Sequence, residues 1–144
     1  MSFSSQVALK TIISVSLSLI LLLALSSCST KYVFATSPVA PAAQGWVKVK
    51  TDNNKNYGIN LQVKMLAEPN KLTPPKEFYV VWMRTENDES VNIGRLNSHD
   101  TFFSSMLEGS LKTNTPMKPR GFFITAENES SPTYGGGVVV LSTK

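Results

Sequence analysis

Cysteine and histidine are almost absent from this chain. One cysteine, Cys28, and one histidine, His99, occur among its 144 residues. A lone cysteine cannot form an internal disulfide, and these two side chains alone cannot supply the ligand set of a structural zinc site. No Gly-x-Ser-x-Gly elbow accompanies His99, and Gly135–Gly137 lacks the following Lys-Ser/Thr of a phosphate-binding loop. We therefore expect a protein that is not an enzyme and uses no metal or cofactor.

Long runs of like charge are also missing. The chain has 14 lysine and arginine residues against 10 acids, which gives a formal net charge of +4, and the two kinds are interleaved. This pattern is typical of a solvated surface and predicts no nucleic-acid partner. An acidic cluster of Glu86, Asp88 and Glu89 fits no EF-hand spacing. We expect a solvated hairpin tip there rather than a calcium site.

A hydrophobic stretch near the N-terminus ends in a cysteine motif. No charged residue lies between Lys10 and Lys31, a gap of 20 residues, and Ile, Val and Leu dominate the first part of that gap. Leu25-Ser26-Ser27-Cys28 then places an apolar residue and two small ones before the cysteine. This order resembles a bacterial lipobox, in which the cysteine is acylated, as with palmitate, and becomes the first residue after cleavage.

Residues 1–27 are accordingly predicted to be a lipoprotein signal peptide, and Cys28 is predicted to anchor the protein to a membrane. An uncleaved transmembrane helix and ordinary secretion are the alternatives, because the uncharged gap is about long enough to span hydrocarbon. The polar residues 26–30 at its end argue against a membrane core. The expected location is the bacterial cell envelope. The outer membrane is favoured in a Gram-negative cell, because Ser29 is not an acidic retention residue.

Residues 28–45 are predicted to be the lipidated cysteine followed by a flexible tether. They mix Pro, Ala, Ser and Thr without periodicity, and a flexible coil of this length reaches roughly 23 Å. The apolar cluster Tyr32, Val33 and Phe34 is left with two interpretations, packing on the domain or dipping into the membrane interface.

Residues 46–144 carry the alternating pattern of a β domain. The most apolar segment, 77–84, is predicted to be a central strand buried on both sides, with Trp82 in the core. About seven strands separated by turn residues, in roughly 100 residues, predict an all-β, immunoglobulin-like antiparallel β-sandwich. The candidate strands are 46–50, 57–67, 77–84, 91–96, 101–107, 121–127 and 137–142.

Four motifs in the domain carry a family resemblance. They are Tyr79–Trp82, Ile93–Leu96, Phe122–Glu127 and Ser130–Thr133. Their order and spacing over residues 46–143 resemble the C-terminal extracytoplasmic domain of anti-sigma-K factors. The resemblance implies a β-sandwich fold and an envelope location.

The chain departs from that family at two points. Asn128–Ser131 stands where the family has Pro-x-Gly-Gly, and only ten residues precede the hydrophobic stretch, where the family has a cytoplasmic sigma-binding domain. We therefore expect no sigma factor as a partner.

The expected function is a non-enzymatic interaction or accessory domain, held at the envelope by its lipid and contacting an envelope protein. The alternative is a binder of a small ligand or carbohydrate that uses Trp46, Tyr57 or Tyr134 as exposed aromatic platforms. Two of these rings in one groove would favour the binder, whereas a flat apolar patch at a strand edge would favour a protein partner.

Overall fold

The computed structural model describes residues 29–101 and 104–144, with side chains left undescribed for residues 99–105. The predicted signal peptide and Cys28 lie outside the described residues. Nine strands and one short 3-10 turn, η1, make up the described chain. The elements are β1 (Ser29–Val33), β2 (Gln44–Thr51), β3 (Tyr57–Leu66), η1 (Pro69–Lys71), β4 (Phe78–Thr85), β5 (Ser90–Arg95), β6 (Asn97–Thr101), β7 (Ser104–Thr115), β8 (Pro119–Glu127) and β9 (Val138–Ser142).

The strands form two antiparallel sheets. The five-stranded sheet has the order β1-β2-β3-β7-β6, and the four-stranded sheet has the order β5-β4-β8-β9. The predicted all-β antiparallel sandwich is confirmed. Nine strands are described where seven were expected. The predicted tether contributes β1, and two strands, β6 and β7, are described where the single candidate strand 101–107 was expected. No helix in residues 29–101 or 104–144 is both long and apolar enough to cross a membrane.

The main core lies between the sheets and follows the period-2 alternation of the strands. In β2, for example, Val47 and Val49 are buried whereas Lys48 and Lys50 are exposed. Each buried aliphatic side chain contributes ~1.5–3 kcal/mol to folding, offset by lost conformational entropy. The five-stranded sheet supplies Val47, Val49, Ile59, Leu61, Val63 and Leu66, and the four-stranded sheet supplies Tyr79, Val81, Met83, Phe122, Ile124, Ala126, Val140 and Leu141.

The flexible tether predicted for residues 28–45 is wrong from Ser29 onward. β1 pairs with β2 along its whole length, from Ser29 opposite Lys50 to Val33 opposite Trp46. The backbone N–H of Ala35 then donates to the carbonyl of Ser142 at 2.9 Å, which ties the segment to the four-stranded sheet. The described domain therefore begins at residue 29 rather than at residue 46.

Small and aromatic side chains explain why this Pro- and Ala-rich segment folds. Phe34, Ala40 and Ala43 are buried in the main core. Tyr32 packs edge-on against Phe122, with ring centroids 5.2 Å apart, and its hydroxyl donates to a backbone carbonyl of β8 at 3.1 Å. Burial raises the pKa of Tyr32 above its ordinary value. The apolar cluster of residues 32–34 thus packs on the domain, apart from Val33, which is 59% exposed.

Replacing Phe34 by alanine tests whether this segment belongs to the fold. Phe34→Ala is expected to lower the free energy of unfolding by ~3–5 kcal/mol, because it opens a cavity in the core. Val33→Ala removes the exposed neighbour and should change it by less than ~0.5 kcal/mol. Urea denaturation followed by fluorescence measures both. Equally small effects would show that residues 29–45 do not contribute to the folded domain.

β4 is the central strand that the sequence predicted, and it is buried on both faces. It lies between β5 and β8, and its residues 79–83 are all at most 3% exposed. Val81 and Met83 face the main core, whereas Val80 and Trp82 form a second cluster with Phe123. Trp82 is therefore a core residue, as expected, but it lies on the outer side of the four-stranded sheet rather than between the sheets.

The segment 128–137 covers this second cluster. Gly135 lies so close to the Trp82 ring that an added Cβ would be 3.3 Å from it. The indole Nε1–H of Trp82 donates to Thr125 Oγ1 at 2.8 Å, and that hydroxyl donates to Glu127 Oε1 at 2.7 Å. The backbone N–H of Gly137 donates to the same carboxylate oxygen at 3.0 Å. A buried polar chain thus links Trp82 to the end of the covering segment and leaves no unpaired donor on the indole.

Truncating Trp82 should remove both the apolar cluster and this polar chain. We expect Trp82→Ala to lower the free energy of unfolding by ~3–5 kcal/mol, a large part of the stability of a small domain. Tyr134→Ala, in the same covering segment but at a side chain 79% exposed, is the control and should have little effect. Thermal melts of both variants measure the difference. A melting temperature of Trp82→Ala equal to that of the parent protein would contradict the observed burial.

Candidate functional site

The three aromatic residues proposed as binding platforms do not share a groove. Trp46 lies on the outer side of β2, and Tyr57 in β3 packs against the main core on the opposite side of the same sheet. Tyr134 lies in the segment covering the four-stranded sheet and is 79% exposed. The arrangement that would favour an aromatic binder is therefore not formed by any two of these rings.

Strand pairing gathers lysines on the outer side of the five-stranded sheet. Lys31 of β1 lies opposite Lys48 of β2, Lys48 opposite Asn60 of β3, and Asn60 opposite Lys112 of β7. Paired residues project from the same face of a sheet, so one row across four strands carries three lysines. Lys50 adds a fourth in the next row, opposite Ser29. We call the four exposed lysines with Trp46 the lysine face.

A shallow groove of about 520 Å³ runs across the lysine face. Gly58 forms part of its floor, because the missing side chain leaves a depression between the lysines of β2 and Lys112 of β7. Trp46 lines the groove, as does Asn114, which lies opposite Gly58. The lining residues are Trp46, Lys48, Lys50, Gly58, Ile59, Asn60, Lys112, Thr113 and Asn114.

No acidic side chain lines the groove, and none of the four lysines has a carboxylate within 4 Å in the described part of the chain. Four other cations of the described residues are paired with carboxylates, namely Lys64, Lys71, Lys118 and Arg120. Lys118 bonds Glu86, a contact that raises the pKa of Lys118, and Arg120 bonds Asp88. The acidic loop identified in the sequence therefore compensates charge elsewhere and leaves the lysine face positive.

Two of the lysines make cation–π contacts with the Trp46 ring. The Nζ atoms of Lys48 and Lys31 lie 5.0 Å and 5.8 Å from the ring centroid. Such cation–π contacts contribute ~0.5–1 kcal/mol at exposed sites. They place ammonium groups over the indole, where a sugar ring would stack. The face therefore presents positive charge rather than a bare aromatic platform.

Asn60 adds an unsatisfied acceptor to the groove. Its side-chain Oδ1 is buried and has no hydrogen-bond partner among the described residues, although Asn60 lines the groove between Lys48 and Lys112. A buried acceptor without a partner costs ~1–3 kcal/mol. A hydrogen-bond donor entering the groove would recover part of this free energy. Asn60 was not singled out from the sequence, because its role depends on the neighbouring strands.

Metal-site geometry is not present in the described residues. Within residues 29–101 and 104–144, no three His, Cys, Asp or Glu side chains are grouped as metal ligands. His99 lies in β6 opposite Glu108, and its side chain is not described. The lipobox residues Leu25, Ser26 and Ser27 and the candidate anchor Cys28 also lie outside the described residues.

Comparison with known proteins assigns no family to the chain. No family model, no curated protein and no solved structure matches it. The resemblance to the C-terminal domain of anti-sigma-K factors stays a prediction that rests on its motifs. Three of those motifs lie in neighbouring strands of one sheet, β5, β4 and β8. Function must be inferred from the surface of the domain.

Neutralising the groove should weaken its affinity for a polyanion. We expect Lys48→Gln/Lys112→Gln to bind dextran sulfate roughly tenfold more weakly than the parent protein, because two exposed charge contacts contribute ~0.5–1 kcal/mol each. Lys76→Gln/Lys144→Gln makes the same change in net charge at the four-stranded sheet and is the control. Titration of Trp fluorescence with the full protein in a nonionic detergent measures both. Equal weakening in the two variants would mean that net charge, rather than the groove, determines binding.

Proposed function

We propose that this protein is a lipid-anchored component of a bacterial cell envelope whose β-sandwich binds a partner and catalyses no reaction. The anchor is supported by Leu25-Ser26-Ser27-Cys28 behind an uncharged hydrophobic stretch. The binding role is supported by the chemistry of the lysine face. Its described groove presents ammonium, amide and indole groups, which attract and hydrogen-bond anions.

The lysine face is the proposed contact surface, and the partner is anionic where it touches. The observation that carries this proposal is the convergence of Lys48, Lys50 and Lys112 with Trp46 in one groove, with Lys31 beside it over the Trp46 ring. Among the described residues, none of these four lysines has a carboxylate within 4 Å. Keeping like charges together without acids works against folding, since each lysine repels its neighbours. An anionic partner removes that repulsion. Charges at the rim of an interface also speed association and select against partners of like charge.

Binding of a small ligand or carbohydrate is the second candidate, and it belongs to a different surface. Tyr134, 79% exposed, lines a polar groove of about 340 Å³ in the segment covering the four-stranded sheet. An exposed phenol beside polar groups suits an uncharged, hydroxyl-rich ligand. Trp46 does not support this candidate, because the ammonium groups of Lys31 and Lys48 lie over its ring. Saccharide binding that Tyr134→Ala abolishes and the lysine variants leave intact would favour it.

Replacing Cys28 tests the anchor. In cells fed labelled palmitate, the parent protein is expected to carry label and to enter the detergent phase on Triton X-114 partition. Cys28→Ala should carry no label and either stay aqueous or persist as an uncleaved precursor, because alanine has no sulfur to which the lipid can be attached. Ser29→Ala, one residue away, is the control and should remain labelled. A mature protein whose Cys28 is unmodified by mass spectrometry would contradict the proposal.

A further inference from the structure

We propose that the lysine face lies on the anionic headgroup surface of the same bilayer that holds the Cys28 lipid. This inference rests on the proposed function, since it needs the anchor, and it names the partner of the lysine face. The anionic phospholipid headgroup is the ligand. Binding of the lysine face to an acidic protein or a soluble acidic polymer, rather than to the bilayer, would contradict this proposal.

Because residues 29–33 form β1 rather than a flexible tether, the lysine face lies close to the proposed anchor. Cys28 is bonded to Ser29, the first residue of β1, and Ser29 lies opposite Lys50. Consecutive Cα atoms are ~3.8 Å apart, and paired Cα atoms in an antiparallel sheet are ~4.5–5.5 Å apart. The Cα of Lys50 is therefore within about 9 Å of the Cα of the acylated residue. A 17-residue flexible linker would instead have allowed a separation of roughly 23 Å.

The lysine face extends from the anchor across the sheet. Ser29, Lys31 and Val33 alternate with inward residues in β1 and lie opposite Lys50, Lys48 and Trp46. Strands are ~4.8 Å apart, so Lys112, three strands away on β7, is only about 14 Å from the anchored edge. Electrostatic attraction in physiological salt acts over ~8–10 Å. A sheet held at this edge can lay all four lysines within that range of the bilayer.

The composition of the face suits an interface between water and lipid. Trp46 places an amphipathic ring among the lysines, and Trp is a typical residue of the headgroup region. Val33, its partner across the β1–β2 ladder, is an aliphatic side chain left 59% exposed beside it. Lysine stems can lie along apolar surface while their ammonium groups reach phosphates. An acidic soluble polymer has no apolar layer to receive Trp46 and Val33, so these residues favour the bilayer.

Quenching of Trp46 by brominated lipids tests the orientation. The full, acylated protein is reconstituted into vesicles of dibrominated phosphatidylcholine, alone or mixed with phosphatidylglycerol. The difference between the parent protein and Trp46→Phe isolates Trp46 from the buried Trp82. We expect Trp46 to be quenched at least twofold more strongly in the anionic vesicles, and 1 M NaCl to remove the excess, because the anchor is equal in both cases and only the charge differs.

Matched variants identify the residues responsible. The quadruple variant Lys31→Gln/Lys48→Gln/Lys50→Gln/Lys112→Gln should lose the excess quenching. The control variant Lys71→Gln/Lys76→Gln/Lys118→Gln/Lys144→Gln lowers the net charge equally and should retain it. Equal quenching of the parent protein in both vesicles, with Cys28 acylated by mass spectrometry, would overturn the orientation and leave the anchor standing. Unmodified Cys28 would overturn the anchor and the orientation together.

Discussion

The pairing of β1 with β2 is the interaction on which the other properties of this domain depend. It extends the first sheet to five strands, and it brings Tyr32 and Phe34 onto the core. It also places Lys31 beside Lys48, so the charged surface is complete only when β1 is docked. Because the same ladder begins at Ser29, the domain follows residue 28 without a flexible linker. One edge strand thus determines where the fold begins, what its surface presents and how far that surface lies from the N-terminal segment.

The alternation of polar and apolar residues and the most apolar run of the chain predicted most of the strands and the central position of β4. The run Phe78–Met83 predicted a central strand, and the structure confirms β4 as buried on both faces. Its Trp82 was correctly assigned to a core, but the sequence did not show on which side of the sheet that core lies. A strand that is apolar on both faces does not reveal which face meets the other sheet. The cover over Trp82 comes from residues 128–137, whose glycines and polar residues read as an exposed turn.

Residues 29–45 were misinterpreted for a related reason. Their proline, alanine and serine content is typical of a linker, but alanine also fills sites where another element approaches closely, as Ala40 and Ala43 do. The lysine face was missed because its members are far apart in the chain and alternate with other residues. Only the pairing of β1, β2, β3 and β7 brings Lys31, Lys48 and Lys112 into one row. Dispersed charge in a sequence is therefore compatible with concentrated charge on a sheet.

The position of β1 at the edge of its sheet bears on the order in which the proposed processing and the folding would occur. A peptidase cleaving at the proposed site, between Ser27 and Cys28, would need the neighbouring backbone accessible, and a strand already paired from Ser29 would withhold it. An edge strand can join last, because it adds its ladder to β2 without rearranging β2 and β3. The export and acylation proposed for this protein can then precede the final step of folding. In the proposed lipoprotein, docking of β1 would then be the step that places Lys31 beside Lys48 and sets the lysine face next to the anchored edge.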